Sequence, residues 1–126
     1  MTKMSLYKVR TDEKASKKGT WELCGYWDGI SPIHKFFYEN VIKGGDPRAF
    51  YIVDEEILDR LQLLCYIVLM NKSSDVKIDV ANALLPLDEL CSGKIDDDYF
   101  AILEETHKML RDVFEEGVLF IYRETL

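Results

Sequence analysis

Two short alternating segments predict strands near the start of the chain. They cover residues 4–10 and 21–27, and a polar stretch separates them. We expect antiparallel neighbours, because a loop of this length readily joins adjacent strands. The alternation places these side chains on a common face of each strand: Ser5, Tyr7 and Val9 in the first, and Trp21, Leu23 and Trp27 in the second.

Helical spacing begins at Ser31 and Pro32, where a hydroxyl N-cap precedes a proline, and it ends at Gly44. The apolar face of this helix comprises Ile33, Phe36, Phe37 and Val41, with Asn40 beside them. Residues 50–53 then predict a short strand.

The most apolar helix starts at Asp54. One stripe of it is suited to burial, namely Ile57, Leu58, Leu61, Leu64, Cys65 and Val68. From Leu63 onward the other faces are apolar as well, at Leu63, Tyr66, Ile67 and Met70. A helix that is apolar all round is covered on several sides. Its second half is therefore expected at the centre of the fold or in a homodimer interface, and both placements stay open.

Two further helices are expected before the last strand. Residues 76–85 fit either a strand or a helix, and we favour a short helix closed by Pro86. A long helix starts at Asp96 or Asp97, where negative charge is favourable, and ends at Gly117. Its stripe is Tyr99, Ile102, Leu103, Thr106, Leu110 and Val113.

Residues 118–122 are apolar on both faces, which predicts a central strand. The order β-β-α-β-α-α-α-β indicates an α+β fold, with a small antiparallel or mixed sheet of about four strands and three to four helices packed on it. We predict a single domain over residues 1–126, because this length suits one domain and glycine and proline are scarce. Residues 11–20 predict a mobile basic hairpin loop.

Charge argues against direct nucleic-acid binding, because the net charge is −7 and phosphate contacts need clustered lysine and arginine. Residues 54–126 carry seventeen acidic and seven basic side chains. Solvent-exposed helix faces explain most acidic surpluses of this kind. The more specific alternative is an acidic surface that mimics nucleic acid and binds a basic partner.

The chain contains no apolar run of the ~20 residues that a membrane span requires, and no secretory segment. Cys24, Cys65 and Cys91 have no metal-ligand spacing. We therefore expect a cytoplasmic protein with reduced cysteines and no membrane contact.

No catalytic, metal or cofactor motif occurs in the sequence, so we predict a protein that is not an enzyme and has neither metal nor cofactor. His34 and His107 lie far apart, and each is better explained as a helix side chain than as a ligand. The three acids at 96–98 lack the spacing of a calcium loop and suit a helix N-terminus.

An aromatic segment around Tyr26 and Trp27 is the most informative candidate for binding, since tyrosine and tryptophan are enriched in interaction sites. They also fill cores, which is the more frequent role, but alternation predicts that one of this pair faces outward. The candidate surface comprises Tyr26, Trp27, Asp28 and His34, near a strand–turn–helix corner. Arg48 would join them if they lined a ligand pocket.

Several segments between residues 21 and 122 form an ordered pattern: Gly25-Tyr26-Trp27, then Ile33 to Phe37, Tyr51, Leu58 to Leu64, Leu84-Leu85-Pro86, Ile95 to Phe100 with Leu103 and Thr106, and Phe120-Ile121-Tyr122. In their order and spacing, these segments resemble a group of small phage and prophage proteins. The resemblance implies a phage-type accessory protein with a compact α+β fold, and it supplies no catalytic residues.

Three segments depart from that group's pattern. Asp28-Gly29 stands where the group has Arg-Lys, residues 88–93 replace an aromatic glycine loop, and Arg123 to Leu126 lacks a final tryptophan. A binding site built on those positions would be altered here.

The leading hypothesis is a non-enzymatic phage-type accessory protein that binds a host or phage protein. The alternatives are a protein that binds or sequesters a small nucleotide-like ligand, and the acidic nucleic-acid mimic.

Overall fold

A computed structural model of the chain describes residues 2–10, 21–28, 32–87 and 94–125. Strands and helices follow one another in the predicted order β-β-α-β-α-α-α-β. The predicted α+β class is confirmed, and the sheet is antiparallel throughout. The loop predicted at 11–20 and the altered segment 88–93 lie outside the described residues.

The four strands are arranged in the order β2-β1-β4-β3. Their bounds are β1, Lys3–Arg10; β2, Trp21–Asp28; β3, Tyr51–Val53; and β4, Val118–Thr125. As predicted, β1 and β2 are antiparallel neighbours, and β4 occupies an interior position between β1 and β3. β4 runs three residues beyond the predicted segment, because its pairing with β1 continues to Thr125.

The helices have the bounds α1, Pro32–Phe37; α2, Glu55–Met70; α3, Lys77–Leu84; and α4, Asp97–Arg111. Asp54 is the N-cap of α2, and the carboxylate of Asp96 accepts a hydrogen bond from the N–H of Tyr99 at the start of α4. The segment 76–85, which fitted either a strand or a helix, forms α3, as we favoured. Among the described residues, none of the helices combines the length and the apolar composition that a membrane-spanning helix requires.

A π-helical turn, Tyr38–Ile42, continues α1. The N–H of Lys43 donates to the carbonyl of Tyr38 at 2.8 Å, a bond that spans five residues rather than four. The wider turn delays the next inward position by one residue. Ile42 is therefore buried, and Val41 of the predicted apolar face is partly buried and packs against the core.

The end of α4 also differs from expectation, since the helix stops at Arg111 rather than near Gly117. Val113 is nevertheless 4% exposed, because the turn after the helix carries this side chain into the core. The apolar stripe thus continues past the last helical residue. Gly117 then adopts a positive φ of 73° immediately before β4, a conformation that glycine adopts without steric cost.

A β-bulge in β2 separates residues that the sequence placed together. Leu6 pairs with Gly25 and Tyr7 pairs with Leu23, so Cys24 is the extra residue on this strand. The bulge turns Trp27 toward the helices, while Trp21 and Leu23 stay on the opposite face. The predicted common face for Trp21, Leu23 and Trp27 was therefore wrong, because strict alternation does not survive a bulge.

The sheet has an inner face that packs on the helices and an outer face. The apolar side chains of the inner face belong to one buried cluster with helical residues such as Leu58, Leu61 and Leu103. The inner face comprises Met4, Leu6, Trp27, Phe120, Tyr122 and Glu124. The outer face holds the predicted set Ser5, Tyr7 and Val9 together with Trp21, Leu23, Tyr26, Ile52, Leu119, Ile121 and Arg123.

Candidate functional site

Tyr26 and Asp28 lie on the outer face of β2, and both are exposed. The hydroxyl of Tyr26 donates to a carboxylate oxygen of Asp28 at 3.0 Å. This hydrogen bond raises the pKa of the Tyr26 phenol. The pair is therefore an accessible surface feature, and Tyr26 is the member of the Tyr26–Trp27 pair that faces outward.

Trp27 is a core residue, with 6% of its surface exposed. Its indole N–H donates to the hydroxyl of Thr106 on α4 at 2.9 Å, and its ring contacts Phe37 at 5.6 Å between centroids. A buried indole usually needs such a partner. The structure therefore removes Trp27 from the candidate surface and assigns it to the contact between β2, α1 and α4.

His34 is mostly buried on α1 and lies over the inner face. Its Nε2 is 3.0 Å from Oε1 of Glu124, and the hydroxyl of Tyr122 donates to the other oxygen of that carboxylate at 3.0 Å. Only 5% of Glu124 is exposed, so two polar partners compensate its burial. We name His34, Tyr122 and Glu124 the carboxylate network.

The sequence did not single out Glu124, which lies 90 residues from His34. A histidine beside a carboxylate is a common arrangement for orienting the imidazole ring. Here both carboxylate oxygens are engaged by neighbouring side chains and the group joins α1 to β4. These contacts of the network link α1 to β4 and have a structural role.

Arg48 lies in the loop before β3, and its backbone N–H donates to the side-chain carboxylate of Asp46 at 2.9 Å. β3 and β2 are the two opposite edges of the sheet. Tyr26 faces outward, whereas His34 packs over the inner face. Among the described residues, Tyr26, Trp27, His34 and Arg48 are consequently not brought together around one space.

The outer face carries an aromatic cluster of its own, which sequence reasoning missed. Trp21 contacts Tyr7 at 5.8 Å and Phe50 at 5.3 Å between ring centroids. The guanidinium of Arg123 lies 4.4 Å from the centroid of Phe50, within cation–π range. Val9 is buried on this face although it does not belong to the main core. We name these residues the outer-face cluster: Tyr7, Val9, Trp21, Phe50 and Arg123.

Exposed apolar side chains surround the outer-face cluster. Leu23 and Ile52 are exposed by 54% and 68%, and Leu119 is exposed as well. Within the cluster itself, Phe50 is also exposed. These side chains belong to β2, β3 and β4, and Phe50 immediately precedes β3. All four strands contribute side chains to the outer face. The Nε atom of Arg123 is buried without a hydrogen-bond partner among the described residues.

A second exposed apolar surface lies on α2. Leu63, Tyr66 and Met70 are exposed by 55%, 48% and 67%. Of the two placements expected for this half of α2, burial at the centre of the fold is not found among the described residues, and the homodimer interface stays a prediction. Helix α2 buries only one stripe, whose fully buried members are Leu58, Leu61, Cys65 and Val68.

A shallow groove of about 430 Å³ runs beside these α2 residues. It is bounded by the ring of Tyr66, which stacks on His107 of α4 at 5.8 Å between centroids. The remaining lining residues are Asp59, Arg60, Gln62 and Leu63. Aliphatic, aromatic and charged groups mix in this groove.

The described cysteines are unsuited to nucleophilic chemistry near neutral pH. Burial raises the pKa of Cys24 to about 11 and that of Cys65 to about 12, and both are free thiols. A thiol with a raised pKa holds little of the reactive thiolate. Cys91 lies outside the described residues. Across the described ranges, no three histidine, cysteine or acidic side chains cluster closely enough to hold a metal ion.

No protein-family model, curated protein or solved structure matches this chain.

Proposed function

We propose that this protein is a non-enzymatic accessory protein of phage type that binds a host or phage protein through the outer face of its sheet. The observation that carries the proposal is the group of exposed apolar side chains around the outer-face cluster. A one-layer antiparallel sheet normally presents polar side chains to water on its free face. Large exposed apolar patches on such proteins mark interaction surfaces.

The composition of the outer face supports a protein as the partner. Tryptophan, tyrosine and arginine are enriched among the residues that dominate the binding energy of protein interfaces. On the outer face, Trp21 contacts Tyr7 and Phe50, and Phe50 contacts Arg123. The cluster is also preorganised, because the rings and the guanidinium already pack on one another. Ordered side chains lose less conformational entropy on binding.

The shape of the outer face also favours a protein over a small ligand. Exposed residues are spread across the sheet from Leu23 on one edge strand to Ile52 on the other. Small ligands generally occupy concave pockets that surround most of their surface. A broad sheet face suits contact with another folded surface.

The proposal is tested with Ile52→Lys, which places a charge on the exposed outer face, in the cells that naturally contain the protein. Affinity purification with quantitative mass spectrometry should recover a partner with the wild type and lose it with Ile52→Lys. The matched control is Ile78→Lys on α3, where another isoleucine is 40% exposed. Circular dichroism and thermal unfolding establish that both variants fold.

Retention of every wild-type partner by Ile52→Lys, or equal loss with Ile78→Lys, would contradict the proposal. Salt dependence separates it from nucleic-acid mimicry. A complex held by apolar contacts should survive high salt, whereas an acidic mimic should release its basic partner, because salt screens exposed charges.

A further inference from the structure

A small cavity lies where α1 and its π-helical turn meet α2 and the end of α3. Its volume is about 140 Å³. Apolar side chains from three helices line most of it, and four polar side chains complete the lining: Lys35, Glu39, Asn40 and Arg60. These residues lie apart from the outer face and from the carboxylate network, so the cavity is a separate feature of the molecule.

Arg60 is held at this cavity by neutral groups. Its guanidinium lies 5.7 Å from the centroid of the Phe36 ring and donates a hydrogen bond to the side-chain oxygen of Asn40. The amide nitrogen of Asn40 in turn donates to the carbonyl of Phe36 at 2.8 Å. Among the described residues, no salt bridge engages Arg60, and the neighbouring acids Glu56 and Asp59 are exposed to solvent. The guanidinium is therefore oriented without being neutralised.

Lys35 adds a second positive charge to the cavity, and Glu39 adds a negative one. The ammonium of Lys35 lies 3.8 Å from a carboxylate oxygen of Glu39. The side chain of Lys35 is 24% exposed and that of Glu39 is 60% exposed, so water screens the carboxylate more than the ammonium. Together with Arg60, the polar lining carries two positive charges and one negative charge. A ligand with a single negative charge would neutralise it.

The apolar lining is fixed by hydrogen bonds at the end of α3. The carbonyl of Leu85 accepts from the hydroxyl of Tyr99 at 2.7 Å, and its N–H donates to the carbonyl of Ala81 at 2.9 Å. Pro86 follows, and its ring fixes the backbone further. An apolar cavity of about 150 Å³ accommodates a benzene ring. The lining therefore suits one compact apolar group.

We propose that this cavity binds a small monocarboxylate that carries a compact apolar group, such as a single ring or a short branched chain. The carboxylate pairs with the guanidinium of Arg60 and the ammonium of Lys35. Arginine presents a planar fork of N–H donors that matches the two oxygens of a carboxylate. The apolar group lies against Leu64 and Leu85, which line the same space.

Charge favours a carboxylate over a phosphate monoester as the ligand. The carboxylate of Glu39 lies at the cavity and repels negative charge. A single negative charge is balanced by the two cations, whereas a phosphate dianion gives the occupied site an excess of negative charge. Asn40 and Glu39 also belong to the π-helical turn Tyr38–Ile42, and such turns occur frequently at functional sites.

Benzoate is the probe that tests this site, added to the full isotope-labelled chain at constant ionic strength. Amide NMR shifts should saturate with a Kd of about 1 mM and map to α1, its π-helical turn and the end of α3. Benzamide keeps the ring but has no charge, and it should bind about tenfold more weakly. Phenyl phosphate, measured at mildly alkaline pH where it is a dianion, should also bind more weakly than benzoate.

Three variants assign the charges. Arg60→Met keeps a long apolar side chain and should raise the Kd for benzoate about tenfold, because the charged hydrogen bonds are lost. The matched control Arg111→Met removes an arginine of α4 whose side chain is 61% exposed, and it should leave the Kd unchanged. Glu39→Gln should tighten benzoate binding by about threefold and narrow its advantage over phenyl phosphate. The amide spectrum of each variant establishes that it folds.

Several results would overturn the proposal. Shifts that rise linearly up to ~20 mM benzoate, without saturation at the cavity, would show that no site exists. Equal binding of benzamide and benzoate would show that the cations do not take part. Equal weakening by Arg60→Met and Arg111→Met would reduce the effect to the overall charge of the protein. None of these results bears on the protein partner proposed for the outer face.

Discussion

The inner and outer faces of the sheet both carry large apolar side chains, yet they contribute differently to the molecule. On the inner face, Leu6 and Tyr122 are fully buried beneath the helices. On the outer face, Leu23 and Ile52 remain more than half exposed. Burial stabilises the fold in proportion to the apolar area removed from water, so side chains of similar size have unequal effects on stability. The outer face leaves much of its apolar surface exposed.

Truncating one leucine on each face gives the largest expected contrast. Leu6→Ala should lower the free energy of unfolding by about 2–5 kcal/mol, because it leaves a cavity in a packed core. Leu23→Ala on the neighbouring strand should change it by no more than about 0.5 kcal/mol. Urea unfolding followed by circular dichroism measures both. Equal losses would show that the outer face is as important to folding as the inner face.

Removing a carboxylate from each face gives the next contrast. Glu124→Ala should cost about 1–3 kcal/mol, because Tyr122 and His34 lose their buried partner. Asp28→Ala, which removes the exposed acceptor of Tyr26, should have little effect. Glu124→Gln keeps an oxygen acceptor and should recover part of the loss in the same urea titration. No recovery would show that the negative charge itself is required.

Alkaline pH should weaken the inner face. Burial, together with the neighbouring Glu124 carboxylate, raises the pKa of Tyr122 well above its ordinary value of 10.0. The folded state therefore keeps this proton when the unfolded state has released it. The stabilisation is complete below about pH 10 and falls as pH rises further, by up to about 1.4 kcal/mol per pH unit for one proton.

Tyr122→Phe should make the decline of unfolding free energy between pH 9 and 11 shallower, because it removes this proton from the balance. The control Tyr26→Phe removes an exposed phenol whose ionisation solvent screens, and its decline should stay close to that of the wild type. Chemical unfolding at each pH provides the comparison. A Tyr122→Phe profile parallel to the wild type would argue against this assignment.

The smallest expected effect lies within the outer-face cluster. Phe50→Ala removes the edge contact with Trp21 and the contact with the Arg123 guanidinium. The expected loss is about 0.5–1.5 kcal/mol, typical of aromatic and cation–π pairs. Phe50→Leu keeps the apolar bulk but has no ring, so it separates the contribution of apolar burial from that of the ring contacts. A loss as large as that of Leu6→Ala would show that the cluster is a second core.

The order of the elements could be predicted from the sequence because the signals act over a few residues. Pro32 begins α1, and Asp54 and Asp96 precede α2 and α4 as N-caps. Hydrophobic positions on both faces of residues 118–122 predicted the interior position of β4, and the structure confirms it. Each of these features depends on the backbone preference of a few residues or on the spacing of hydrophobic residues within one helix or strand.

The candidate surface depended on contacts between distant parts of the chain, and only the tertiary structure decided it. The bulge at Cys24 turns Trp27 into the core, although local alternation placed it with Trp21. Glu124 becomes the partner of His34 across 90 residues. The exposed side of α2 likewise follows from where α4 packs. The spacing of residues along a helix or strand determines which of them share a face. Whether that face is buried depends on which other parts of the chain pack against it.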